Sequence, residues 1–276
     1  MRRLSVLFSL MAALVVTGCS SQSEEVNVYS ARKEALIKPL LDRFTSETGI
    51  TVNLITGSAD ALVERMKAEG EHSPADVLIT TDAGRLYRAQ QEGQLATTES
   101  DTLAEQVPEA LRDPEGHWYG LSVRARVVVY APDRVDPSEL STYEALADEK
   151  WDDRICIRSS DNIYNQSLTA SLIAHNGEAD TEQWAEGLVS NMARDPVGGD
   201  RDQIKALAAG ECDIAVVNTY YLGMMQGGDN ADAREIAEQV AVFWPNQDGR
   251  GAHINISGAG VATNAPNPDN ARQLIE

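Results

Sequence analysis

The sequence predicts an α/β protein of two lobes. Three observations carry this expectation: strand-like and helix-like segments alternate from Val26 onward, the 276 residues exceed the needs of one small core, and two strand-like apolar runs, near 123–130 and 240–244, are placed to cross between lobes. Val26-Asn-Val-Tyr29 reads as a short strand. Leu36, Ile37, Leu40, Leu41 and Phe44 then recur at helical spacing, and Gly49 is a stop. Ile50, Val52 and Leu54 alternate as a second strand, and Leu62, Val63 and Met66 line a second helix. Asp76-Val-Leu-Ile-Thr80 is a buried strand, and Asp82 is placed to cap a helix running to about Gln91. Such alternation builds a parallel sheet with helices on its faces.

A different stretch follows His117-Trp-Tyr-Gly-Leu121. The run from Val123 to Tyr130 is apolar but for Arg124 and Arg126. Beyond it we expect a helix near 142–147, a strand at Arg154, helices near 166–175, 182–191 and 202–209, and a strand from Asp213. The run at 240–244 precedes a last strand-like segment holding Ile254, Ile256 and Val261. Taking the two runs as crossings assigns 26–122 and 243–276 to lobe 1 and 123–242 to lobe 2. Residues 270–276 read as the start of a helix without a stop signal, so the chain is expected to end inside a longer protein.

The N-terminus carries its own pattern. Arg2 and Arg3 precede an apolar run from Leu4 to Val16, too short to span a bilayer, and Val16-Thr-Gly-Cys19 follows. These four residues resemble a bacterial lipobox. We therefore expect a lipoprotein signal peptide over 1–18, Cys19 as the lipidated first residue, and a polar tether over 19–25. Once Cys19 is taken by lipid, Cys156 and Cys212 remain. An even remainder in an oxidising compartment suggests one disulfide, with two buried free thiols as the alternative.

Composition narrows the function. An apolar fraction of 42% with 24% charged residues is that of a soluble folded chain. Forty-three acidic against 23 basic residues leave a formal charge of −20, which repels nucleic acid and disfavours anionic lipid. Membrane contact is thus expected only through the lipid anchor. The four histidines are scattered, so no zinc site is expected. Gly258-Ala-Gly260 lacks the third glycine of a dinucleotide loop, and no P-loop, Gly-x-Ser-x-Gly or His-Glu-x-x-His motif occurs. An enzyme would have to use Glu34 or Asp161 as acid or base, and neither has a partner group in the pattern.

The informative cluster is tyrosine, in a chain only 5% aromatic. Asn218-Thr-Tyr-Tyr221 sets two phenols side by side in what reads as a loop after a buried strand, and Tyr164 lies in a polar loop, Arg158 to Gln166, after another. Ligands of open α/β sheets bind at the carboxyl ends of strands. Deprotonated tyrosine is a hard anionic oxygen donor suited to a hard trivalent cation, and three phenolates would neutralise Fe(III). Equally, amphipathic phenols line clefts for organic ligands.

Taken together, Tyr29-Ser-Ala-Arg32, Ser73-Pro-Ala-Asp-Val77, Trp118-Tyr-Gly-Leu121, Arg124-Ala-Arg-Val127, Arg158-Ser-Ser160, Tyr164-Asn165, Gly198-Gly-Asp-Arg-Asp-Gln203, Asn218-Thr-Tyr-Tyr221 and Asn255-Ile-Ser-Gly258 resemble the periplasmic ferric-ion-binding proteins of bacterial ABC importers. The resemblance runs from about Val26 to the end. It implies a type II periplasmic-binding-protein fold, two lobes hinged by two crossing strands. It also implies a monomer that hands Fe(III) to an inner-membrane ABC permease and is not an enzyme. Members continue past this C-terminus.

Tyr164, Tyr220 and Tyr221 match the family's phenolate ligands. Where some members carry a His-Tyr pair, this chain reads Lys33-Glu34. The resemblance therefore implies the three-tyrosine subgroup with a carbonate-like synergistic anion, Glu34 being a further candidate oxygen ligand. Candidate anion donors are Arg32, Arg124, Arg126, Ser159, Ser160 and Asn218, since arginine's fork matches a planar oxyanion. Arg124 and Arg126 share parity on a strand and should face one side. The other expectation for the cleft is an organic or oxyanion ligand, such as a phosphonate or a thiamine-like molecule.

Overall fold

The computed structural model describes residues 24–276, so the expected signal peptide and Cys19 lie outside the described residues. The first half alternates as its hydrophobic periods dictate: β1 (Glu25–Ser30), α1 (Glu34–Thr48), β2 (Thr51–Thr56), α2 (Ala59–Glu69), β3 (Val77–Thr81) and α3 (Ala83–Gln91). Gly49 ends α1 in the left-handed region at φ 80°, its N–H returning to the Thr45 carbonyl. Ser58 caps α2 and Asp82 caps α3 through side-chain oxygens. After α4 (Asp101–Gln106) comes β4 (Tyr119–Tyr130), twelve residues long.

The second half runs β5 (Ile155–Cys156), α5 (Ile163–Asn176), α6 (Glu178–Ser190), α7 (Asp200–Ala208), β6 (Ile214–Asn218), α8 (Thr219–Gly227), α9 (Ala231–Glu238) and β7 (Ala241–Phe243). It closes with β8 (Ile254–Val261) and α10 (Pro268–Ile275). The strands order as β2-β1-β3-β8-β4-β6-β5, with β7 beside β4. β1 is parallel to β2 and β3, and β5 to β6, while β4 and β8 run antiparallel to every neighbour.

β4 divides the molecule. Its first half, Tyr119 to Ala125, pairs with β8, and its second half, Arg126 to Tyr130, pairs with β6 and β7. Lobe 1 packs Val26, Val28, Val77 and Ile79 against Ile37, Leu41, Ala271 and Ile275. Lobe 2 has a core on each sheet face. Val127, Val129 and Val217 meet Ile204, Leu207 and Leu222, while Val128 and Val216 meet Trp151, Leu168, Leu172 and Trp184. That is the period-two alternation of a strand covered on both sides.

Two expectations need adjusting, and one open alternative is resolved. The run at 240–244 is not a long strand: β7 has three residues and pairs with Val128 to Tyr130 inside lobe 2. The chain returns later, where Arg126 donates its N–H to the His253 carbonyl and Ala125 faces Ile254. Both crossings therefore lie side by side at 125–126 and 253–254. The segment near 142–147 forms a 3-10 turn, Glu144–Ala147, instead of an α-helix. Cys156 and Cys212 are joined by a disulfide with Cα atoms 5.8 Å apart, in the core beneath α7.

Candidate metal centre

Both tyrosine segments begin helices; they are not loops. Tyr164 is the second residue of α5, whose N-cap Asn162 accepts the Tyr164 N–H at 3.0 Å. Tyr220 and Tyr221 are the second and third residues of α8, which starts directly off β6. A helix N-terminus presents partial positive charge, so both positions suit an anionic ligand group. The strand-to-helix junctions bring the Tyr164 and Tyr220 hydroxyls to 3.2 Å. The rings of Tyr220 and Tyr221 stack with centroids 4.2 Å apart.

The three phenols form one wall of a cleft of about 400 Å³ between the lobes. Arg201 and Met224 belong to the same wall, and lobe 1 contributes Ala31, Arg32, Lys33, Leu36, Thr81, Arg124 and Ser257 among others. Four cations and no carboxylate line this cleft, on a chain whose net charge is −20. Among the described residues no group of three or more His, Cys, Asp or Glu could hold a metal ion. The phenol oxygens of Tyr164, Tyr220 and Tyr221 are the acidic oxygen donors that this cleft offers.

Burial favours the neutral form of the adjacent phenols Tyr220 and Tyr221. Tyr220 retains 36% of its surface, yet desolvation pushes its phenol well above the ordinary value, and hydrogen bonding to Tyr164 and Tyr221 adds to this. Burial likewise raises Tyr221, with the hydrogen bond to Tyr220 and the Arg158 charge opposing and the charges of Tyr164 and Asp200 adding. Against this, the guanidinium groups of Arg124 and Arg158 lie 5.1 and 5.5 Å from the Tyr164 ring centre, and that of Arg201 lies 6.0 Å from Tyr221's.

The anion candidates separate into two groups. Arg32 lines the cleft, its Nη1 donating to Ser257 Oγ at 2.9 Å. Arg124 also lines it, but it is held by Asp82 at 2.9 Å and by the Ile256 carbonyl. Arg126 is 1% exposed and donates to Asp200 at 2.7 Å and to Asn165. It faces an inner cavity behind Tyr164, together with Arg124 and Asn218, as shared parity requires. Ser159 Oγ accepts the Asp161 N–H, and Ser160 lines a separate cavity beside Trp184. Glu34 is the exposed first residue of α1 and does not line the cleft.

Sequence reasoning assigned no role to Arg201, although it lies in a quoted motif. Its Nη2 reaches Met224 Sδ at 3.6 Å, and neither it nor Arg32 enters an ion pair among the described residues. Asp200 and Asp82 were also missed. Asp200 is fully buried and accepts from Arg126 Nη1, Arg158 Nη1 and the Asn218 N–H at 2.7, 3.2 and 2.7 Å. Asp82 has φ 91° and accepts from Arg124, Asn255 and, across the lobes, Ser167 at 2.7 Å. The signal for such residues is a buried arginine that needs a carboxylate, visible only once burial is known.

Comparison with known proteins agrees with this architecture. Over 255 residues, 92% of this chain and 71% of the relative, it is 51% identical to iron uptake protein A1 of Synechocystis sp.. The structure of Trichodesmium IdiA (FutA) in complex with iron and citrate superposes with a TM-score of 0.86 at 51% identity, covering 91% of this chain and 81% of that one. The ferric binding protein from Campylobacter jejuni superposes equally well, TM-score 0.86 at 37% identity, over 91% of this chain and 79% of that one. Residues 72–276 match the family described as bacterial extracellular solute-binding protein. With that match, and with the two-lobe type II fold it shares with these structures, the chain belongs to the bacterial extracellular solute-binding protein family.

Proposed function

We propose that this protein captures Fe(III) in the periplasm on Tyr164, Tyr220 and Tyr221 and delivers it to an inner-membrane ABC permease. The observation that carries the reading is the pair of phenol hydroxyls 3.2 Å apart at two helix N-termini, in a cleft lined by four cations and no carboxylate. Three phenolates supply hard oxygen donors whose charge balances a trivalent cation. Each phenol must lose its proton to bind, so affinity falls as pH falls. Three donors leave coordination positions open. Among the cleft's cations without a carboxylate partner, the two forked guanidinium groups, Arg32 and Arg201, suit a carbonate-like anion completing the site. Glu34 does not line the cleft, so we assign it no ligand role.

The names of the relatives support iron as cargo and a transport role rather than an enzymatic one, and the lipobox-like Val16-Thr-Gly-Cys19 supports a lipid anchor. The cationic lining also favours a second reading, in which the ligand is an oxyanion chelate of iron or an organic oxyanion alone. One experiment separates these. The protein loaded with ferric salt in bicarbonate should show a visible phenolate-to-iron band, lost in the Tyr164→Phe, Tyr220→Phe, Tyr221→Phe triple variant. Iron-loaded protein without that band would refute phenolate coordination. Tight binding of an organic oxyanion without iron would favour the second reading.

A further inference from the structure

At the hinge, three polar atoms are buried without a hydrogen-bond partner: Arg126 Nε, Asn218 Nδ2 and His253 Nε2. Arg126 and Asn218 are 1% and 2% exposed. The three side chains line a single cavity of about 10 Å³, closed by Tyr164, Ser167 and Asp82. Three unmatched polar atoms at one place are costly, about 1–3 kcal/mol each, unless something inside the cavity serves them. A cavity of this size accommodates the centre of one water molecule.

We propose that one water molecule is built into the hinge, accepting from Arg126 Nε–H and Asn218 Nδ2–H and donating to His253 Nε2. The count fits, since buried waters typically make about three hydrogen bonds. The charge fits too. Arg126 is paired with Asp200 and Arg124 with Asp82, so the cavity wall is balanced and calls for a neutral occupant. A halide would need net positive charge, and a cation would meet two guanidinium groups. Burial keeps His253 neutral, with its proton affinity depressed to about 4, which leaves a ring nitrogen free to accept.

The placement gives the water a task. Arg126 is on the first crossing, His253 on the second, and Asn218 ends β6 two residues before Tyr220. The water thus ties both crossings to the strand that presents the tyrosine pair. The inference does not depend on what the cleft binds.

A high-resolution crystal structure of the mature protein, with a second crystal soaked in sodium bromide, tests it directly. We expect a water peak within hydrogen-bond distance of all three atoms and no bromide anomalous signal there. No peak, or bromide at the position, overturns the proposal. A second arm compares variants at pH 8. His253→Gln keeps an acceptor and should melt within about 1 °C of wild type, while His253→Leu strands two donors and should melt about 4–24 °C lower. Equal losses in both variants, or none in His253→Leu, would also overturn it. If His253→Leu does not fold, the crystallographic arm decides alone.

Discussion

Asp200→Ala should be the most damaging single substitution beneath the site, and its size follows from three contacts. The carboxylate is fully buried and serves Arg126 Nη1, Arg158 Nη1 and the Asn218 N–H. Removing it strands the Arg126 guanidinium, which desolvation already disfavours in its charged form. Breaking one side of a buried ion pair costs about 3–5 kcal/mol. For a chain of this size each kcal/mol lowers the melting temperature by about 2–4 °C, so the loss should be about 6–20 °C. The Asn218 N–H also loses its acceptor, which loosens the turn into Tyr220 and should speed loss of bound iron to a chelator.

Thermal and urea unfolding followed by circular dichroism measure the stability loss, and release of iron to citrate measures the second effect. A cycle with Arg126→Met isolates the pair. The double variant Arg126→Met, Asp200→Ala should lose clearly less than the sum of the singles, because no unpaired charge remains at the Arg126 position. A loss below about 1 kcal/mol in Asp200→Ala, or strict additivity in the cycle, would refute the assignment of Asp200 as the anchor of the tyrosine strand.

The remaining predictions concern the anion, the disulfide and acid. In chelator competition, bicarbonate should strengthen iron retention in wild type, and Arg32→Ala and Arg201→Ala should abolish that gain; Arg126→Ala should instead lower stability, since its nitrogens face inward. No bicarbonate effect in wild type would remove the anion from the proposal. The Cys156–Cys212 bridge closes a separation of 56 residues, for which chain entropy gives about 4 kcal/mol, so the double alanine variant should lose at most that in urea unfolding. Thiol titration of the denatured, unreduced protein should find neither of these two cysteines free. Finally, His253 is depressed to about 4 by burial, with Arg124 and Arg126 adding and Asp82 opposing. The unfolded chain therefore takes up this proton first, so the group's stabilisation is present above about pH 6.5 and lost as pH falls toward 4. Unfolding free energies of wild type and His253→Gln, nearly equal at pH 7, should part as pH falls to 4, wild type dropping below the variant by a few kcal/mol at most; parallel curves would show that His253 is not buried neutral.

What the sequence made legible follows from where its signals are local. Leu62, Val63 and Met66 at helical spacing, or Val127 to Val129 on a two-faced strand, fix element type because period alone decides which face is buried. The tyrosines were found for a similar reason: phenols placed after buried strands are rare enough to stand out in a chain 5% aromatic. Their setting was read wrongly, as loops, because Asn162 and Asn218 favour turns and N-caps alike and only the tertiary path shows that a helix starts there. Long-range partners left no such local trace. Arg124 and Arg126 looked free to hold an anion because Asp82 and Asp200 are 42 and 74 residues away. Arg201 looked ordinary because nothing nearby says that it escapes a carboxylate. The distinction between Arg126, spent on holding the hinge together, and Arg32 with Arg201, left facing the cleft, is therefore a property of the fold. Under the proposed function, one set of arginines serves stability and the other the ligand, and the Arg126→Ala and Arg201→Ala variants should separate along that line.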